Sequence, residues 1–90
     1  MSKEENIHVG YVVQFKNNDA IIQVSGKDYY VSLTNKETNF LYDMLYNAKL
    51  SYIAFDIANH DIITYESFQS AMGEKNSREV YITFINMFKN

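Results

Sequence analysis

The stretch SYIAFDIANHDIITYESF, residues 51–68, carries Asp56, His60, Asp61 and Glu66, side chains of the types that ligate zinc or manganese. A metal would need them to converge on one point, and a structural site usually takes four ligands. Ala58, Asn59, His60 and Asp61 lie between two runs of β-formers, which is the pattern of a hairpin connection, and adjacent turn residues point apart. The segment therefore reads as a turn, and no metal is expected there.

Other catalytic chemistry finds little support. His8 and His60 are the only histidines, so a general base would be one of them or a carboxylate in a shaped pocket. Ser51, Ser67, Ser70 and Ser77 lack the elbow motif of an activated nucleophile. Ser25-Gly26-Lys27 has the composition of a phosphate-binding turn, but that motif needs a longer glycine-rich loop opening a helix, and here a strand follows. Cysteine is absent, which removes disulfides, thiolate zinc sites and cysteine nucleophiles together. No catalytic residue and no cofactor is expected.

Tyrosine is the unusual feature, with eight copies beside six phenylalanines. Tyr30, Tyr42, Tyr46 and Tyr52 fall on faces opposite the most apolar residues and are the candidate protein-binding set. An exposed tyrosine ring covers area at low entropy cost while its hydroxyl bonds, which enriches it at protein interfaces. The same rings stack on bases and sugars. The alternative site is therefore Tyr11, Tyr30 and Tyr52 as stacking platforms for a nucleotide, single-stranded nucleic acid or sugar, with Lys16 and Lys27 reaching for phosphate.

The elements that would position these side chains follow from periodicity. Ile7, Val9, Tyr11, Val13 and Phe15 alternate with His8, Gly10, Val12 and Gln14, the period of a half-buried strand. Lys16-Asn17-Asn18-Asp19 is turn chemistry, Ala20 to Ser25 is a second strand, and a tight turn at Ser25–Asp28 leads to a third from Tyr29 to Leu33. Thr34 and Glu37 form a capping-box pattern before an amphipathic helix over residues 36–48, carried by Phe40, Leu41, Met44, Leu45 and Ala48. Two more strands flank the turn at residues 58–61, with Ile53, Phe55 and Ile57 on one face of the first.

From Glu66 the pattern weakens, no regular structure is expected there, and Gly73 to Ser77 reads as a loop. Residues 78–89 favour a helix over a strand, with Ser77 as N-cap and Val80, Tyr81, Phe84, Ile85 and Phe88 inward. The expected fold is α+β in a single domain, residues 1–90, with residues 1–6 as a flexible tail. The order β-β-β-α-β-β is similar to the layout of an oligonucleotide/oligosaccharide-binding (OB) barrel, and equally suits a small antiparallel meander with helices on one face.

Composition narrows the partners. A 47% hydrophobic fraction with 21% charged residues is that of a folding chain. The net charge is −3 and the eight basic residues are dispersed, which disfavours phosphate-backbone binding. The N-terminal MSKEENIHVG has no apolar signal core and no later run reaches a membrane span, so a cytoplasmic location without membrane contact is expected. Abundant Asn, Ile, Lys and Tyr with a single arginine and no proline suggests an AT-rich genome, bacterial or phage. A small acidic regulator that binds a protein partner or itself is the function expected.

Overall fold

The computed structural model describes residues 7–72 and 77–88. The expected tail, residues 1–6, and most of the expected loop, residues 73–76, lie outside that range. The fold is α+β. Strands β1 (Ile7–Lys16), β2 (Asp19–Val24) and β3 (Lys27–Ser32) form a meander. Helix α1 (Asn35–Tyr42) runs into a π-helical turn (Asp43–Asn47), then come β4 (Tyr52–Asp56), β5 (Asp61–Ile63), α2 (Tyr65–Met72) and α3 (Ser77–Phe88). All five strands join one antiparallel sheet in the order β3-β2-β1-β4-β5.

The tight connections have the backbone their residues allow. Asn17, at φ 55°, turns β1 into β2, and Ser25 and Gly26, at φ 52° and 81°, turn β2 into β3. Positive φ at both central residues is the type I′ geometry whose twist matches the flanking strands. The capping box forms as the sequence predicts: the Glu37 N–H donates to Thr34 Oγ1 at 3.2 Å, and the Thr34 N–H donates to Glu37 Oε1 at 2.9 Å.

The alternation of β1 breaks at a bulge between Val12 and Gln14. Before it, Gly10 and Val12 face the core; after it, Phe15 does, while Tyr11 and Val13 are exposed. The single apolar face expected for Ile7, Val9, Tyr11, Val13 and Phe15 is thus split, because an extra residue in one strand reverses the side-chain alternation beyond it. Gly10 permits the inner packing. A Cβ there would lie 2.6 Å from Ile22 Cγ2 and 2.9 Å from Val24 Cγ2.

The sheet curls. Tyr29 on β3 and Phe55 on β4 bring their ring centroids within 5.1 Å, whereas three strand spacings in a flat sheet would hold them about 14 Å apart. Val12, Ile22, Ile53, Phe55 and Ile62 fill the hollow. Ile53, Ala54 and Phe55 are buried in succession, and so are Ile62 and Ile63, because α2 and α3 cover what the curl leaves open on β4 and β5.

Two stretches differ from the sequence reading. Tyr65, expected at the end of a strand, and residues 67–72, expected to be irregular, belong to α2, started by Thr64, whose carbonyl accepts from the Phe68 N–H at 2.9 Å. Phe68, 1% exposed, anchors the helix against α3, and Tyr65, Phe68 and Met72 stand at helical spacing, a short stripe that the sequence reading missed. The C-terminal segment is the expected helix, with Tyr81 and Ile85 fully buried, but Phe88 is 57% exposed.

Candidate functional site

Tyr42 and Tyr46 form an aromatic pair on the surface of α1 and its π-turn. Leu41 and Met44, fully buried, fix the opposite side of this helical segment to the core. The last turn widens, with the Ala48 N–H donating to the Asp43 carbonyl five residues back at 2.9 Å, and the left-handed Lys49 at φ 55° ends it. Such widened turns recur at functional positions. Across this turn the Tyr42 and Tyr46 rings stack, centroids 5.5 Å apart and planes 29° apart. They remain 51% and 63% exposed. Phe15, turned inward by the β1 bulge, meets the Tyr42 ring edge-on at 5.0 Å and holds it in place.

Tyr11 and Tyr52 form a second pair. They face each other in the β1–β4 register with centroids 5.4 Å apart, Tyr11 exposed and Tyr52 half-buried. Tyr30, 71% exposed, stands three strand spacings from β4, on the sheet edge. The tyrosines named from the sequence therefore divide among a helical pair, a strand pair and an edge residue. Lys16 and Lys27 lie at opposite ends of β2, about 17 Å apart along the strand. The Lys27 ammonium sits 5.4 Å over the Tyr29 ring. The two lysines do not converge on a ring of the alternative ligand set.

A polar cluster escaped the sequence reading. The Asp43 carboxylate accepts from Arg78 Nε at 2.8 Å, from Asn47 Nδ2 at 2.9 Å and from the Tyr65 hydroxyl. It tethers the π-turn to the starts of α2 and α3. The Arg78 guanidinium, with the Tyr65 and Asn47 donors, lowers the Asp43 pKa to about 2. Burial, then the neighbouring carboxylate, pushes the Tyr65 hydroxyl well above its ordinary value. Asp43 is thus ionised and Tyr65 protonated throughout the neutral range, which makes the cluster a latch rather than a proton-transfer pair. A cavity of about 310 Å³ lies beside it, lined by Lys36, Phe40, Tyr65 and Glu66 among others. Contacts over 22 and 35 residues leave no signal in local sequence.

Of the polar residues of segment 51–68, Asp56, His60 and Asp61 form or flank the β4–β5 turn, whereas Glu66 lies on α2 with its carboxylate 3.6 Å from Lys36 Nζ. The Asp56 carboxylate accepts from the Asn59 N–H at 3.1 Å and from Asn59 Nδ2 at 2.7 Å. His60, left-handed at φ 59°, sets its ring edge-on to Tyr29 at 5.3 Å. Among the described residues, no three His, Cys, Asp or Glu side chains are grouped as a metal would need, and no helix is long and apolar enough to cross a membrane.

A wider apolar cleft, about 530 Å³, opens between the start of β1, the β2–β3 turn and the rings of Phe68, Phe84 and Phe88.

Fold and surface together define a small α+β domain built on a curled antiparallel sheet and bearing exposed aromatic pairs. Set against protein-family models, curated proteins and solved structures, the chain has no match.

Proposed function

We propose that the protein is a non-enzymatic binding module that meets a protein partner through exposed tyrosines, acting as a small regulator or inhibitor of a larger bacterial or phage protein. The observation that carries this reading is the Tyr42–Tyr46 stack, more than half exposed yet held by Phe15. Rings ordered before binding lose little freedom on contact, so their buried area is not offset by a large entropy cost. Tyr30 and Tyr52 extend the contact onto the sheet. The test is affinity capture from the native cell or infected host with the wild-type chain and with a Tyr42→Ala/Tyr46→Ala variant. The partner retained by the wild type is expected to be lost by at least about tenfold in the variant, with circular dichroism unchanged. Equal capture by both chains refutes the reading.

A second reading is an OB-like domain for nucleotide, single-stranded nucleic acid or sugar. In its favour, the order β3-β2-β1-β4-β5 is that of a five-stranded barrel opened between β3 and β5, and Tyr11 and Tyr52 are paired on it. The separation of Lys16 from Lys27 counts against it. Absence of retention on single-stranded DNA, RNA or glycans at low salt would remove it.

A further inference from the structure

Strand β3 is an edge of the sheet, and among the described residues nothing pairs with its outer side. The opposite edge, β5, has three residues, whereas β3 has six in unbroken register with β2. Open rows of N–H and C=O groups recruit further strands, and edges are ordinarily blunted by brevity, bulges or proline. Charged side chains also blunt edges, and β3 carries them only at Lys27 and Asp28 beside the turn, which leaves Tyr29 to Ser32 without any of these protections.

The turn at Ser25–Gly26 decides which backbone groups point outward. In a two-residue hairpin the closing pair, here Val24 and Lys27, exchanges both hydrogen bonds, and every second pair repeats this. Lys27, Tyr29 and Val31 therefore bond to β2, and the alternation continues at Leu33, whose N–H donates to the carbonyl of Asn18 just before β2 at 2.6 Å. Asp28, Tyr30 and Ser32 aim their N–H and C=O groups at the open side, and all three residues are exposed.

We propose that this edge pairs antiparallel with β3 of a second copy, about a two-fold axis at Tyr30, joining two sheets into one. The register follows from the outward groups. Centred on Tyr30, Asp28 faces the second copy's Ser32 and Tyr30 faces its own counterpart, so about six ladder hydrogen bonds form and every outward group is used. Centred on Tyr29, Ser32 loses its partner, and registers between these set an outward side chain against an inward one. Charge agrees with the Tyr30 register, since Asp28 meets a serine hydroxyl rather than another carboxylate. Tyr30, 71% exposed in the single chain, gains a facing ring. The pairing does not rest on the Tyr42–Tyr46 reading, because those rings lie on the helical segment.

The chain has no cysteine, so single introduced thiols report the register directly. In the Tyr30 register the facing α-carbons of a hydrogen-bonded pair lie about 5.5 Å apart, within disulfide reach. Tyr30→Cys is expected to cross-link into a two-chain species under mild oxidation. Asp28→Cys alone should stay single and cross-link only when mixed with Ser32→Cys. Tyr30→Pro removes an outward N–H and spares the β2 ladder, so sedimentation should show the wild-type mass halved while circular dichroism is unchanged. If the proline variant does not fold, the thiol pairs decide. A wild-type chain that sediments as one copy at every concentration, or captures extended peptides at this edge while remaining single, overturns the proposal. So does Asp28→Cys cross-linking where Tyr30→Cys does not. Cross-linking of Tyr30→Cys in a chain that also carries Tyr42→Ala and Tyr46→Ala separates this result from the Tyr42–Tyr46 reading.

Discussion

The hydroxyl of Tyr81 lies 2.8 Å from the backbone nitrogen of Ala54 and accepts its N–H, joining α3 to β4 across 27 residues. The same hydroxyl donates to the Ile63 carbonyl at 2.6 Å, so one side chain bridges β4 and β5 where Ala54 and Ile63 stand opposite in register. Its ring packs edge-on against Phe40, Tyr65 and Phe68, one from α1 and two from α2. Tyr81 is therefore where the helices and the end of the sheet are fastened together.

Replacing Tyr81 with phenylalanine keeps the ring contacts and strands a buried donor and a buried acceptor. Each unsatisfied group costs about 1–3 kcal/mol. The expected result is a loss of about 2–4 kcal/mol in urea unfolding with the m-value unchanged. A change below the scatter of the measurement would mean that the bridge does not hold the strands.

Gly10→Ala sets two effects in opposition. Removing a strand glycine gains about 0.5–1 kcal/mol through the unfolded chain. The new methyl would press on Ile22, fully buried, and Val24, 3% exposed, and overpacking of this kind costs about 1–3 kcal/mol. Crowding wins, and the melting temperature should fall. A rise would show that Ile22 and Val24 can step aside.

Asp43 predicts acid sensitivity. Its carboxylate, held by Arg78, Tyr65 and Asn47, has its pKa lowered from 3.8 to about 2 in the folded chain. A lowered folded value means the ionised form favours folding. That stabilisation is complete well above the unfolded pKa and is lost as pH falls through the folded one. Because Arg78 is half exposed, the contribution is discounted for screening to about 1–2 kcal/mol. Wild type and Asp43→Asn should differ in urea stability by this amount at pH 6 and converge near pH 2. A gap that stayed constant over that range would remove the assignment.

Salt separates the two functional readings. Capture of a protein partner through Tyr42 and Tyr46 should change less than about threefold between 50 and 500 mM salt, since aromatic burial involves little counterion release. A nucleic-acid complex held through Lys16 and Lys27 should weaken by about tenfold or more over the same range. The check is quantitative pull-down along a salt series.

Local signals were legible and long-range ones were not. The Thr34–Glu37 capping box, the Asn17 and Ser25–Gly26 turns and the exposure of Tyr30, Tyr42 and Tyr46 each depend on neighbours a few residues away. The β1 bulge carried no such mark, because alternating Ile, Val, Tyr and Phe reads as one apolar face until an extra residue reverses it. Helix α2 was missed although Tyr65, Phe68 and Met72 stand at helical spacing, because two turns are too short for the stripe to dominate the polar residues between them; its anchor, Phe68, is buried by Tyr81 and Phe84 from another helix. Nothing in segment 51–68 marked Tyr65 as a partner of Asp43.

The sequence by itself determined the α+β class, the three-stranded meander, the capped first helix and a surplus of tyrosine too large to hide. These are consequences of periodicity, turn chemistry and composition, which act over a few bonds. Tertiary structure alone decided how the sheet curls, which face of β1 is inside, how the tyrosines divide between helix, strand pair and edge, and which buried hydroxyl joins β4 to β5. Those outcomes depend on which distant side chains share the same small volume, and packing settles that only when the whole chain has closed around it.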